Sequence, residues 1–185
     1  MSAGWLIRTQ RVLDAVSVEI KISGRCRASS ENYAWFNGAL GQALVRATEM
    51  AASRLLPCRY CATALQLGPG LADCLARVDS ALKLYALPAP PEHDGVAIST
   101  DWQPLPLGVR AVDLIVLQHT LDFAQAPHQV LREAATVLAP EGYLLVCGFN
   151  PLSLWGLRRS LSRWPRSIPW NGHFLTPNRV QDWIS

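Results

Sequence analysis

Three short segments of this chain carry residue types that could bind a ligand or take part in acid–base chemistry. The first is Gly68-Pro69-Gly70, which follows a short apolar run and precedes further apolar residues. Glycine lets a ligand approach the backbone, and the free N–H groups of a helix start after such a turn bind phosphates and nucleotides. The turn lacks the Lys-Ser/Thr pair of a triphosphate loop. A plain structural turn remains an alternative, because Gly and Pro are common in all loops.

The other two segments come at the ends of apolar runs. Asp101 closes one run, and Gln118-His119-Thr120 directly follows the most apolar run of the chain, residues 112–117. Ligands of open α/β sheets bind outside the carboxyl ends of the strands, so these side chains are well placed for binding. His119 could serve as a general base, a stacking surface or a satisfied structural group. Asp101 could accept a hydrogen bond from a ligand amino group or simply cap a turn.

The elements that must position these segments alternate between strands and helices. Apolar residues at helical spacing predict an amphipathic helix over residues 35–56, ended by Pro57. The predicted strands are residues 62–67, 81–87, 95–99, 112–117 and 143–147, and the further predicted helices are residues 72–78, 126–138 and 178–184. Such alternation is typical of βαβ units and a parallel sheet.

Composition and charge limit the class of protein. The chain has 185 residues, of which 50% are hydrophobic and 17% charged, which suits one domain with a sizeable core. Residues 61–150 carry a net negative charge between two positively charged ends, which does not favour nucleic-acid binding. No apolar stretch is long enough for a membrane span, and charged residues interrupt the N-terminal region, so we expect a cytoplasmic protein without a secretory signal.

The five cysteines and four histidines form no recognisable metal or redox motif. Cys58 and Cys61 have CxxC spacing, but no second pair follows, and the element that comes next is a predicted strand rather than a helix. His93 and Asp94 lie in a proline-rich loop without further ligands, so no metal site is predicted. An odd number of cysteines without a signal peptide indicates reduced thiols.

The order of these motifs resembles that of class I S-adenosylmethionine (SAM)-dependent methyltransferases, in particular the small-molecule or type 11 group. The resemblance covers roughly residues 35–184 and is carried by residues 65–70, 101–106, 112–123, 127–134 and 142–150. Residues 118–123, 127–133 and 148–158 also resemble an uncharacterised bacterial subgroup. The resemblance implies an α/β fold: a mainly parallel, Rossmann-like sheet with helices on both faces.

The resemblance also implies a cofactor site for SAM. Gly68 and Gly70 match the glycine loop that surrounds the methionine part of SAM, and Gln66 stands where the family has an acid. Asp101 matches the acid that contacts the adenine amino group, with Trp102 beside it as a stacking partner. An amide at position 66 can form hydrogen bonds but cannot balance the ammonium charge of the cofactor, so binding would rest on the other contacts.

Further residues are implied near the reacting methyl group. Gln118 and Thr120 match the segment next to the sulfonium, with His119 between them as the candidate for proton removal. Asn150 is the candidate for orienting the acceptor. The family's ribose-binding acid has no counterpart near Leu87. The leading functional hypothesis is methyl transfer from SAM to an unidentified small molecule, which needs mainly alignment of donor and acceptor.

The domain boundaries and an alternative function complete the sequence-based hypothesis. Residues 1–31 are predicted as a weakly ordered extension, and residues 32–185 as a methyltransferase-like domain that is incomplete at its C-terminus. The family's last antiparallel strands have no sequence after Ser185, which would leave a sheet edge open to a second copy of the chain. The alternative function is a non-catalytic binding or regulatory domain, or an inactive shortened product, and Gln66 together with the absent ribose-binding acid favours it.

Overall fold

A computed structural model describes residues 4–9, 34–56, 60–68, 72–86, 96–98, 105, 107–153 and 172–184. The strands are β1 (Gly4–Thr9), β2 (Cys61–Leu67), β3 (Ser80–Ala86), β4 (Val96–Ile98), β5 (Val112–Gln118) and β6 (Leu138–Phe149). The helices are α1 (Ala39–Leu55), α2 (Thr120–Phe123), α3 (Pro127–Val137) and α4 (Pro177–Ile184). A short helical segment, residues 34–37, precedes α1.

All six strands form one sheet in the order β1-β6-β5-β2-β3-β4. The pairs β2–β3, β3–β4, β2–β5 and β5–β6 are parallel, and β1 is antiparallel to β6. The chain proceeds outwards from β2 to β4 and then returns to the other side of β2 as β5. The strand order therefore reverses between β2 and β5, and the carboxyl ends of these two strands border the crevice where open α/β sheets bind ligands. This arrangement confirms the predicted mainly parallel α/β sheet.

Helices cover both faces of the sheet, as the sequence predicts. Alternate residues of β5 belong to different clusters of buried side chains: Leu114 and Val116 pack in the cluster that contains residues of α1, and Ile115 and Leu117 pack in the cluster that contains residues of α3 and α4. A strand buried on both sides explains the apolar run over residues 114–117 of β5. None of the described helices is long and apolar enough to cross a lipid bilayer.

The helix predicted over residues 72–78 does not form; this segment consists of turns. Side chains provide the hydrogen bonds that helical backbone groups would otherwise make with one another. The Gln66 amide accepts from Cys74 N–H at 2.9 Å and donates to the Ala72 carbonyl at 2.6 Å, and the Asp73 carboxylate accepts from Leu75 N–H at 3.0 Å. Such local side-chain bonds compete directly with helix formation.

Residues 4–9, which lie in the segment predicted as a weakly ordered extension, form β1. This strand pairs along β6 from Gly4 opposite Phe149 to Thr9 opposite Leu144. The outer edge of β6, which the sequence led us to expect unpaired and available for self-association, is therefore covered by the chain's own N-terminal segment. The pairing with β1 satisfies N–H and C=O groups of β6 that an unpaired edge would expose.

The pairing of β1 can be tested with a disulfide. Leu6 lies directly opposite Cys147 in the antiparallel register. Directly opposed Cα atoms are about 4.5–5.5 Å apart, which is within the range of about 4.4–6.8 Å that a disulfide spans. We expect Leu6→Cys to form a disulfide with Cys147 under mild oxidation, measured by peptide mass mapping.

The matched control is Ile7→Cys, because successive residues of a strand project to opposite faces and position 7 is paired with Val146 instead. Cross-linking to Cys147 should be specific to position 6. Equal cross-linking from both positions, or from neither, would contradict the register of β1.

Candidate functional site

The carboxyl ends of β2 and β5 are in direct backbone contact at Gly68. A Cβ atom added at Gly68 would overlap with the Gln118 carbonyl oxygen and would lie 3.0 Å from Gln118 Cβ. The Thr120 hydroxyl donates a hydrogen bond to the Leu67 carbonyl at 2.8 Å, which joins the two strand ends a second time. The glycine turn and the polar segment that the sequence singled out therefore lie side by side, and only glycine fits at position 68.

Gln66 and Gln118 form a buried amide network beneath this contact. Gln66 Nε2 is 3.3 Å from Gln118 Oε1, and its remaining bonds go to the backbone of residues 72 and 74. Both polar groups of the Gln66 amide are thus committed to the protein, where they hold the segment that follows the glycine turn. A direct contact of Gln66 or Thr120 with a cofactor stays a prediction, since the Thr120 hydroxyl is also committed, to Leu67.

The Gln118 side chain has an unused donor. Gln118 is fully buried, and its Nε2 has no hydrogen-bond partner among the described residues. Burying a polar group without a partner costs about 1–3 kcal/mol by mutational estimates, so natural proteins rarely leave one unexplained. Its location at the carboxyl end of β5 is where the fold binds ligands, and an oxygen or ring nitrogen of a ligand would satisfy it.

His119 is held in an unusual backbone conformation between β5 and α2. Its φ is 52° and its ψ is 15°, in the left-handed region that few non-glycine residues adopt. Its N–H donates to the Cys147 carbonyl at 2.8 Å, and its Nδ1 lies 2.8 Å from Asp122 Oδ2. Backbone strain of this kind is concentrated at functional sites.

Asp122 is a site residue that the sequence analysis missed. Its Oδ2 faces His119 Nδ1 and also accepts a hydrogen bond from Phe149 N–H at 3.1 Å. Burial raises the pKa of the Asp122 carboxyl, and the hydrogen bond and charge of His119 oppose that shift. The i, i+3 spacing of His119 and Asp122 at the start of a helix was the available signal, because residues three apart lie on the same helix face.

Aromatic side chains surround the His119 imidazole. Its ring centroid is 4.4 Å from that of Phe149 and 5.7 Å from that of Phe36, and both phenylalanines are fully buried. Three half-buried rings extend this group, so that the aromatic wall comprises Trp35, Phe36, Phe123, Phe149 and Phe174. The wall excludes water from one side of the site and offers flat apolar surface next to a titratable group.

The remaining predicted site residues are placed only in part. Asn150 follows β6 at the same sheet edge, but its Oδ1 accepts from Leu152 N–H at 2.9 Å in a local turn. Its role in orienting an acceptor stays a prediction. Gly70, Asp101 and Trp102 lie outside the described residues.

Burial disfavours the thiolate form of two described cysteines, Cys74 and Cys147. Burial raises the pKa of the Cys74 thiol to about 12, with smaller contributions from Glu49 and Asp73, and burial also raises the pKa of Cys147 well above its ordinary value. Both remain neutral at physiological pH. Within the described ranges, no group of three or more His, Cys, Asp or Glu side chains could hold a metal ion.

Sequence comparisons find similarity over the part of the chain that holds most of this site. The model of the family described as "Methyltransferase domain" matches residues 61–146, from the start of β2 into β6. The uncharacterised protein YafS of Escherichia coli strain K12 is 39% identical over 90 residues, which are 49% of this chain and 38% of YafS. The chain thus covers well under half the length of this curated relative.

Two solved structures share the fold. A chain of the complex between the Haloferax volcanii Trm112 methyltransferase activator and a methyltransferase has a TM-score of 0.64 at 18% identity, over 83% of this chain and 74% of that chain. A SAM-dependent methyltransferase from Thermotoga maritima has a TM-score of 0.59 at 20% identity, over 76% of this chain and 68% of that chain. At such identities, the similarity is evidence for the fold alone.

The contact between the strand ends predicts that Gly68→Ala is destabilising. The new methyl group meets backbone rather than a flexible side chain, so the strand ends must separate. We expect a loss of roughly 1–3 kcal/mol in the free energy of unfolding, measured by urea denaturation. In the control Gly108→Ala, the new Cβ would lie 3.7 Å from Ala111 Cβ, an ordinary contact, and stability should change by less than about 0.5 kcal/mol. Equal stability of the two variants would contradict the close approach.

Proposed function

We propose that this chain, whose residues 61–146 match the model of a methyltransferase domain, binds SAM at the carboxyl ends of β2 and β5 and transfers its methyl group to a small-molecule acceptor. Methyl transfer is an in-line displacement, so the protein acts mainly by aligning donor and acceptor and by excluding water.

The observation that carries this proposal is the buried Gln118 Nε2, which has no partner among the described residues and lies in the residue that packs against Gly68. SAM has a carboxylate, ribose oxygens and adenine ring nitrogens, each of which can accept a hydrogen bond from this donor. A second unpartnered atom, Asp122 Oδ1, adds a buried acceptor at the same sheet edge. The residues present therefore fit the cofactor that the family uses.

The residues of this site would have separate roles in binding the cofactor. Gly68 and Gly70 would admit the cofactor to the backbone, and Asp101 and Trp102 would hold its adenine. Gln118 would donate a hydrogen bond to it. When bound, SAM supplies an electrophilic methyl group on a positively charged sulfur.

Gln66 and Thr120 would act on the cofactor through the loop they stabilise, because their polar groups already bond to the protein. The acceptor would enter beside His119 and Asn150. We place the reaction in the cytoplasm and expect a small acceptor rather than a nucleic acid, because residues 61–150, which build most of the sheet, are net negative.

A second candidate function is a methyltransferase-like domain that binds a ligand without turnover. The neutral amide of Gln66 favours it, because this residue replaces a family acid and makes all of its bonds to the protein. Loss of one charge-assisted contact costs about 1.5–3 kcal/mol, which would weaken cofactor affinity by one to two orders of magnitude.

Replacement of the unpartnered donor tests the proposal. Gln118→Met keeps the length of the side chain and removes its N–H groups. We expect SAM affinity, measured by isothermal titration calorimetry, to fall roughly 2- to 13-fold, corresponding to one hydrogen bond of about 0.5–1.5 kcal/mol.

Gln129→Met on the exposed face of α3 is the matched control and should leave the SAM affinity unchanged. No heat with millimolar SAM in the unmodified chain would contradict the proposal outright. Equal affinity in the two variants would contradict the assigned role of Gln118. Binding without any methylated product would favour the second candidate.

A further inference from the structure

We propose that His119 and Asp122 form an acid–base dyad that deprotonates an aromatic hydroxyl, so that the acceptor is a phenol. This proposal rests on the methyltransferase function proposed above. His119 is the catalytic residue of this pair. Asp122 is a positioning residue that acts through His119.

The geometry determines which imidazole nitrogen can take a proton. Asp122 Oδ2 lies 2.8 Å from His119 Nδ1 and also accepts the N–H of Phe149 at 3.1 Å. Because Asp122 Oδ2 accepts a hydrogen bond from the backbone, we infer that it also acts as an acceptor towards His119 Nδ1. Nδ1 then carries the hydrogen, and Nε2 keeps its lone pair. Among the described residues, no hydrogen bond to Nε2 is formed, so it remains available to an acceptor.

The dyad is also fixed in place. His119 is anchored by its N–H bond to Cys147, and its ring packs between Phe36 and Phe149. Asp122 is anchored through its own carbonyl, which accepts the His173 N–H at 2.6 Å. A base held by packing and by a second residue is preorganised, which is how a carboxylate–histidine pair contributes to catalysis.

The buried carboxylate of Asp122 faces the His119 imidazole directly. Desolvation disfavours the isolated charge of Asp122, as its raised pKa indicates, and an imidazolium 2.8 Å away would compensate that charge. The other titratable groups that face the pair are His173, before α4, and Cys147 on β6. The Cys147 thiol stays neutral, and His173 is exposed.

The aromatic wall indicates the chemical class of the acceptor. Trp35, Phe123 and Phe174 are half-buried and extend from the fully buried rings that contact His119. An aromatic acceptor would pack its ring on these surfaces, where aromatic pairs add about 0.5–1.5 kcal/mol beyond their buried area. A base is needed only when the nucleophilic atom must lose a proton, and a hydroxyl is such an atom, whereas a tertiary amine or a thioether is not.

In the transfer step, the phenol O–H bond breaks, and its proton moves to His119 Nε2. The oxygen electron pair forms a bond to the methyl carbon, while the carbon–sulfur bond breaks and its electron pair stays on sulfur. The products are a methyl aryl ether and S-adenosylhomocysteine, and His119 releases its proton to water.

The test uses 2-naphthol as the phenol probe and N,N-dimethylaniline as a nucleophile that needs no base. We expect Asp122→Asn to lower kcat for 2-naphthol by roughly 10²- to 10⁴-fold, with KM for 2-naphthol unchanged. The rate with N,N-dimethylaniline, which needs no proton removal, should be the same in Asp122→Asn and in the unmodified chain. Asp182→Asn on exposed α4 is the matched control and should behave like the unmodified chain.

A second measurement does not depend on whether Asp122→Asn folds. With ¹⁵N-labelled histidine in the unmodified chain, the signals that disappear in His119→Gln should show a protonated Nδ1 and an unprotonated Nε2 at pH 8. The opposite tautomer would overturn the dyad.

The kinetic outcomes also separate the two proposals. SAM binding without methylation of 2-naphthol would overturn the dyad alone, and so would a kcat that in Asp122→Asn is unchanged or falls equally for both nucleophiles. Failure to bind SAM would overturn the proposed function itself.

Discussion

The site depends on one backbone contact, the approach of Gly68 to the carbonyl of Gln118. It brings the carboxyl ends of β2 and β5 so close that no side chain fits between them at this point. The Thr120 hydroxyl bond to Leu67 reinforces it from the other strand. Because the strand order reverses here, the same contact forms the floor of the crevice in which this fold binds ligands. The polar side chains of the site are all positioned relative to it.

Around this contact the protein satisfies most polar groups internally and leaves few free. Both polar groups of the Gln66 amide form hydrogen bonds with the loop after the glycine turn. Nδ1 of His119 likewise pairs with the Asp122 carboxylate. The unpartnered atoms in the site are Gln118 Nε2 and Asp122 Oδ1, both fully buried in the part of the chain that the structure describes. Such a distribution is typical of a ligand site, where a few unsatisfied groups set orientation and the others provide rigidity.

Much of the fold could be predicted from the sequence, because its signals are local. The apolar run of β5 and the periodic pattern of α3 appear within one or two residues of their predicted bounds. The helix expected over residues 72–78 does not form, because hydrogen bonds from the Gln66 side chain determine that segment. Strand β1 was missed because a six-residue strand is stabilised by its partner β6 rather than by its own pattern.

The candidate site could be predicted in its location but not in its inner geometry. The order of the motifs predicts that Gly68 and residues 118–120 lie at the same edge of the sheet. The contact between Asp122 and His119 could not be predicted in this way, because it depends on the left-handed backbone conformation of His119, which directs the two side chains together.

The most direct measurement is an NMR titration of the chain with SAM, following the Gln118 side-chain amide and the backbone amides of Gly68 and residues 118–120. If the cofactor binds where β2 and β5 meet, these signals shift together, while exposed positions such as Gln129 stay in place. Shifts confined to other parts of the chain, with the Gln118 amide unchanged at saturation, would contradict the assignment of this crevice as the SAM site.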